Sequence, residues 1–262
     1  MYKKAKKMKK IKQFSYKLHE FDLSQPGSKK LYNEKLFSPV SFVYSRVTQV
    51  LSFGRDRAWK KSLVAFLPSL ENPHILDIAC GPGDLSFLAA KRFSEATIIG
   101  IDLNRDMLRK AEENARTHFP ELQERLRFTQ GDMSSLDYED DTFDMITGGY
   151  ALRNAPDVEK TVREIARVLK PGGTAAFLDF SRSSHPVIQK VQVALLSFWG
   201  KLWGWFFHRN SEVYGYIAES LRHFPDNAAF CALLESAGFT IKVYAPRFLG
   251  LLHITVVTKS PG

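Results

Sequence analysis

The chain has 262 residues, 44% hydrophobic and 25% charged, which suits one large domain, or a domain with an appended cap, and supplies ample material for a core. Its two cysteines, Cys80 and Cys231, are too few and too scattered for a disulfide framework or a zinc site, which points to a reducing compartment. The formal charge of +9 is concentrated in residues 1–30, where ten lysines face only Glu20 and Asp22; the body is nearly neutral and lacks the basic stripe of a nucleic-acid enzyme, so no nucleic-acid partner is expected.

The first segment, residues 1–25, repeats an apolar residue every third position, at Tyr2, Ala5, Met8, Ile11 and Phe14, with lysines between them. It reads either as a basic amphipathic helix for an anionic membrane surface or as a solvated tail. No apolar run follows the lysines, so secretory export is not expected. Pro26-Gly27-Ser28 breaks this tail from a helical region, residues 26–70, in which two helices are predicted: one along Phe37, Val40, Val43, Val47 and Leu51, the other along Trp59, Leu63 and Leu67 after Ser52-Phe53-Gly54. They are expected to lie as a lid over the sheet edge where ligands bind.

Residues 71–262 are predicted to alternate strands and helices, with a helical insertion at about 186–222. His74 to Ile78 is an apolar run that enters the turn Cys80-Gly81-Pro82-Gly83-Asp84, and a helix follows along Phe87, Leu88, Ala90 and Phe93. The glycines let backbone approach a ligand, and the helix start offers unpaired N–H groups. A dinucleotide site needs a third glycine where Ser86 stands, so NAD is disfavoured. The next strand ends on Asp102, where an acid meets ribose hydroxyls, although any α/β protein can carry a glycine turn and an acid in these places.

Asn104 is a predicted N-cap for a helix along Met107, Leu108, Ala111 and Ala115. Leu126 to Gln130 forms a third strand and closes on Gly131-Asp132-Met133, with Asp132 suited to accept from an adenine amine and Met133 to pack on the ring. Phe143 to Thr147 is a fourth strand ending at Gly148-Gly149-Tyr150. A helix over about 157–169 stops at Lys170-Pro171-Gly172-Gly173, and Thr174 to Phe180 is the fifth strand. Val187 to Phe207 makes a long, mostly apolar helix with Trp199, Trp203 and Trp205; it reads as a lid over an apolar substrate, as a membrane-contacting segment, or as core. A last helix, Asn227 to Ala237, precedes closing strands at 239–244 and 251–258.

An adenosine-bearing ligand with Asp102 on ribose and Asp132 on adenine is best met by S-adenosylmethionine (SAM). The chain also resembles class I SAM-dependent methyltransferases and, more closely, the ubiquinone/menaquinone biosynthesis C-methyltransferase family. The resemblance rests on Leu51 to Trp59, Leu76 to Asp84, Leu152-Arg153-Asn154, Arg167 to Gly173 and Tyr216 to Asp226. It departs at Ser45 and Thr48, where the family has Asp and Asn, and at Ala151, where it has Gly; these positions are expected beside the substrate.

The resemblance implies a Rossmann-like α/β fold, a doubly wound, mostly parallel seven-stranded sheet with an N-terminal helical lid. It implies SAM as cofactor, no metal, and transfer to a ring carbon of a prenylated quinol or phenol, an apolar aromatic small molecule. Expected cofactor-binding residues are Asp77, Gly81, Pro82, Gly83, Asp102, Leu103, Met107, Asp132, Met133, Gly148 and Gly149. Arg153 is expected to stabilise a phenolate and Asn154 to orient a water; Tyr44 completes the catalytic set, and Tyr150, His185 and His223 are further candidates. The enzyme is expected in the cytoplasm at the inner face of a membrane, held by its lysine tail, with a homodimer as one assembly open to it. A different small-molecule acceptor, or a SAM-binding partner protein without turnover, remain as alternatives.

Overall fold

The computed structural model describes residues 18–208 and 212–261; the lysine-rich repeat at 1–14 lies outside the described residues. In chain order come α1 (Pro26–Val40), α2 (Tyr44–Leu51), α3 (Asp56–Ala65), β1 (His74–Ile78), α4 (Asp84–Arg92), β2 (Thr97–Asp102), α5 (Arg105–His118), β3 (Leu126–Gln130) and β4 (Phe143–Gly149). Then follow α6 (Val158–Val168), β5 (Leu169–Phe180), α7 (Pro186–His208), α8 (Glu212–Arg222), α9 (Asn227–Ser236), β6 (Phe239–Arg247) and β7 (Leu252–Lys259).

The strands form one seven-stranded sheet in the order β3-β2-β1-β4-β5-β7-β6. β1 to β5 pair in parallel, while β7 runs antiparallel between β5 and β6. Each central strand is buried on both faces and so reads as a continuous apolar run. Alternate residues divide between two cores: Ile75, Ile98 and Met145 pack on Trp59, Leu63, Phe87 and Phe93. Leu76, Ile101 and Ile146 pack on the other side with Val162, Ile165, Leu221 and Leu234. A third cluster of Tyr32, Leu36, Val40, Val47, Met107 and Tyr216 seats α1 and α2 against α5 and α8.

Asn104 caps α5 as its sequence position predicts, accepting from the N–H groups of Asp106 and Met107, and Asp226 caps α9 in the same way. Three elements differ from expectation. Three helices precede β1 instead of two, because Pro26 occupies the first turn of α1, where its missing N–H costs nothing, and the chain breaks at 41–43. β5 begins at Leu169, so Lys170-Pro171-Gly172-Gly173 ends α6 but is drawn into the strand. β6 continues to Arg247 through its pairing with β7.

Candidate active site

The loop after β1 is bent by three residues with left-handed backbone: Ala79 (φ 47°), Gly81 (φ 55°) and Gly83 (φ 89°). A Cβ on Gly81 would meet open space, whereas one on Gly83 would lie 2.8 Å from the Phe87 ring and 3.2 Å from Phe128. Gly81 therefore opens the loop to a ligand, while Gly83 lets the loop pack on α4. Gly83→Ala combines that clash with strained backbone and should destabilise the fold by about 1–3 kcal/mol. Chemical denaturation that gave the same unfolding free energy for variant and parent would contradict this reading.

Ser86, in place of a third glycine, is fully buried, and its hydroxyl donates to Asp77 at 2.5 Å; Thr147 donates to the other Asp77 oxygen at 2.9 Å. The aspartate thus ties β1 to α4 and β4, and burial pushes its carboxyl up to about 6. Asp102 ends β2 and accepts from the N–H of Gly81 (2.9 Å) and of Asn104 (2.8 Å). Burial outweighs these donors and raises Asp102 to about 6 as well.

Two cavities open around this loop, and a third adjoins them. The first is lined by Gly81, Asp102, Leu103, Met107, Asp132, Met133 and Gly149, all expected from the sequence, with Asn33, Phe37, Ala79, Gly131 and Pro156 added from elsewhere. A smaller inner cavity is lined by Asp77, Gly81, Pro82, Gly149, Lys60 and Asp84. The third is apolar, walled by Leu36, Val40, Val47, Trp59, Phe180, Leu196, Trp199 and Phe248, with Arg153 and Asn154 among its few polar groups. Tyr44 and Tyr150 line all three, and Asn154 lines both the first and the apolar one.

Two expected cofactor residues face elsewhere. Gly83 packs on Phe87, as described, and Gly148 lies against Ile78, Ala151 and Phe177, with no room for a Cβ, so it serves the sheet core. Asp132 is in place but already engaged: Lys30 Nζ lies 2.6 Å from one oxygen, and Ser134 donates its N–H and hydroxyl to the other. Burial opposes ionisation of this carboxyl, but the Lys30 and Ser134 donors prevail and hold it below its usual range. Lys30 belongs to a set of contacts that fasten α1 over the first cavity, with Ser38 donating to Asp106 and Asn104 to the Glu34 carbonyl.

Arg153 is 4% exposed. Its backbone N–H donates to Asp179 at 3.0 Å, its guanidinium donates to Ser220, and its Nε lies 3.7 Å from Asp179 without a hydrogen-bond acceptor. The cation also lies 5.2 Å from the Phe180 ring and 5.7 Å from Tyr216. Asn154 donates to the Tyr150 carbonyl at 2.7 Å, its carbonyl accepts from Asn33, and its buried Oδ1 has no partner. An orphan donor and an orphan acceptor thus belong to adjacent residues of one cavity wall, an arrangement suited to a ligand hydroxyl. The Tyr44 phenol is pushed up to about 12 by burial and stays protonated at neutral pH, which makes it a donor and not a base.

Neither His185 nor His223 lines these cavities; His223 lies 3.5 Å from Glu219. Of the three departures from the family pattern, only Thr48 lines the apolar cavity, and its hydroxyl is turned to the carbonyls of Tyr44 and Ser45. Ser45 opens to an outer cleft and Ala151 is buried beside Gly148. Sequence reasoning missed Lys60 and Asp56. A lysine four residues after an acid in an amphipathic helix ordinarily reads as a surface pair, but here both side chains are buried and 2.9 Å apart.

Residues 25–259 match the ubiE/COQ5 methyltransferase family. The 2-phytyl-1,4-naphtoquinone methyltransferase of Synechococcus elongatus is 36% identical over 225 residues, covering 86% of this chain and 95% of that protein. The ubiquinone/menaquinone biosynthesis C-methyltransferase UbiE of Bartonella quintana is 36% identical over 212 residues, covering 78% and 79%. Among solved structures, a SAM-dependent methyltransferase from Methanosarcina mazei is similar in fold at 22% identity, with a TM-score of 0.55, covering 74% of this chain and 95% of that one.

Proposed function

This chain belongs to the ubiE/COQ5 methyltransferase family, and we propose that it transfers a methyl group from SAM to a ring carbon of a prenylated quinol in quinone biosynthesis. The observation that carries this reading is the junction at Tyr44, Tyr150 and Asn154, where the cavity lined by Asp102, Leu103, Met107 and Met133 meets an apolar cavity with a largely aromatic and aliphatic wall. Asp102 would accept from the ribose, Leu103, Met107 and Met133 would pack on the nucleoside, and Gly81 and Gly149 would admit the chain of atoms leading inward. When bound, SAM supplies an electrophilic methyl group on a sulfonium.

The protein's own residues must then raise electron density on the acceptor ring. Arg153 offers its unsatisfied Nε–H to a quinol oxygen as that oxygen gains charge, in a site walled mostly by apolar side chains. Asn154 Oδ1 accepts from a water beside the same oxygen, and the Tyr44 hydroxyl supplies a further donor. Incubation with SAM and either a reduced prenylated naphthoquinone or a panel of soluble phenols tests the reading. S-adenosylhomocysteine and a product heavier by one methyl are expected from the quinol; turnover of soluble phenols alone would replace it with the natural-product alternative.

The outer side of α7 carries Val187, Ile188, Val191, Leu195, Phe198 and Leu202, all exposed. Trp199 of the same helix lines the apolar cavity and stacks at 4.8 Å on the exposed Phe53. Among the described residues no helix is long and apolar enough to cross a membrane. This face is read as the one that rests on a bilayer, with the prenyl tail passing beside Trp199, and the lysine repeat 1–14 holding the anionic surface at about 1 kcal/mol per lysine.

Deleting residues 1–14 should reduce sedimentation with anionic vesicles and slow turnover of a long-tailed quinol in them, while a short-tailed soluble analogue reacts as before. Equal vesicle binding by truncated and full-length protein at low salt would sink the role of the tail.

A further inference from the structure

Replacing a ring C–H by C–CH3, while a sulfonium becomes a neutral thioether, releases one proton per turnover, and here it is released inside an apolar cavity. Tyr150 stands at the junction of the three cavities, on left-handed backbone (φ 59°) just after β4. Its O–H donates to Asp56 Oδ1 at 2.8 Å. Asp56 Oδ2 lies 2.9 Å from Lys60 Nζ, which in turn lies 2.9 Å from Asp84 Oδ2.

The side chains of Asp56 and Lys60 are 5% and 6% exposed and that of Asp84 is 32% exposed, so the row runs from the interior toward solvent. Asp56, Lys60 and Asp84 also line the outer cleft between α3 and α4, which Tyr150 does not. Lys60 and Asp84 line the inner cavity as well, so the row stands between the junction and the cleft, and the hydrogen bond from Tyr150 to Asp56 joins the phenol to it. The Tyr44 hydroxyl, at the same junction, meets no hydrogen-bond partner among the described residues and leads nowhere.

We propose that Tyr150, Asp56, Lys60 and Asp84 form the proton exit of the methyl transfer, with Tyr150 as a catalytic residue that touches the acceptor hydroxyl. This rests on the quinol C-methylation reading. The quinol hydroxyl proton passes to the Tyr150 oxygen as the Tyr150 proton passes to Asp56. The electron pair left on the quinol oxygen is pushed through the ring, the ring carbon bonds to the methyl, and the S–CH3 bond breaks with its pair going to sulfur. The ring C–H proton then returns to the quinol oxygen as the C–H pair restores the aromatic ring.

One proton in all has left the substrate: the Lys60 ammonium gives one of its protons to Asp84 and, as the amine, takes the one held by Asp56. Burial and the Asp56 charge hold the Tyr150 phenol well above its usual value, so it relays the proton in one concerted step and does not ionise by itself. A purely structural triad would tie α3 to α4 equally well, but it would not need to be joined to a tyrosine that lines all three cavities.

The test uses full-length enzyme, SAM and a geranyl-naphthoquinol kept reduced. Tyr150→Phe removes only the hydroxyl and should lower kcat at least about tenfold, with SAM affinity within twofold of the parent. Single-turnover methylation by the parent should be slower in D2O than in H2O, and this difference should vanish in the variant. Wild-type kcat in Tyr150→Phe would overturn the proposal. Should that variant not fold, Asp56→Asn is expected to show the same loss, and wild-type kcat there would overturn it equally. If both fail to bind SAM, the parent alone decides, since equal single-turnover rates in H2O and D2O exclude a proton relay. A parent that methylates no quinol at all removes the acceptor reading itself, an outcome distinct from a parent that turns over and variants that do so equally well.

Discussion

Arg153→Ala should lower kcat for quinol methylation by about 10²- to 10³-fold, the usual effect of deleting a donor aimed at developing charge, while SAM affinity changes little. The substitution also removes the cation from beside the buried Asp179, and breaking a buried pair from one side costs about 3–5 kcal/mol. The melting temperature should therefore fall together with activity, and Arg153→Ala alone does not tell a catalytic arginine from a structural one. Arg153→Lys keeps a positive charge near Asp179 but loses the planar fork with its Nε–H. It should recover most of the melting temperature and little of the turnover. If Arg153→Lys restored both in proportion, Arg153 would be a structural residue; if only the SAM dissociation constant changed, its place in the mechanism would be wrong.

Asp102→Asn should weaken SAM binding by at least about tenfold, because a carboxylate accepting from two ribose hydroxyls contributes about 1.5–3 kcal/mol per charged hydrogen bond. The same carboxyl predicts a pH dependence. Burial raises it to about 6 in the ligand-free protein, and hydroxyl donors from a bound ribose favour the ionised form and lower it again. Binding is then fully developed above about pH 6 and weakens as the pH falls through that value, since the proton must leave before the ribose can be held. The buried charge acts on folding with the opposite sign: its desolvation cost is present above about pH 6 and is relieved on acidification. Calorimetric titrations at pH 7.5 and 5.5 should show tighter binding at the higher pH for the parent and no such difference for Asp102→Asn. Equal affinities of parent and variant at pH 7.5 would take Asp102 out of the site.

The local features were legible because each follows from short-range chemistry. A buried parallel strand must be an apolar run, so His74–Ile78 and Phe143–Gly149 announce themselves. Asn104 can cap α5 wherever the rest of the chain goes. The turn after β1 needs left-handed backbone, which Gly81 adopts without strain, and Asp102 follows at the end of the neighbouring strand, so a cavity at this end of the sheet follows from local chemistry.

What the sequence could not decide was which face each residue serves and what reaches it from far along the chain. Gly83 and Gly148 stand in the motif as ligand glycines, yet Phe87 in one case and Ile78, Ala151 and Phe177 in the other occupy the space a Cβ would need. Ser86 reads as a missing glycine until Asp77, nine residues earlier, is seen to take its hydroxyl. Lys30 closing on Asp132, and Tyr150 reaching Asp56 across 94 positions, join segments that no spacing rule relates. Periodicity and turn chemistry act over a few residues and determine the elements and the loop, whereas burial and pairing of charges depend on which elements the sheet order brings side by side, and that is settled only when the chain packs.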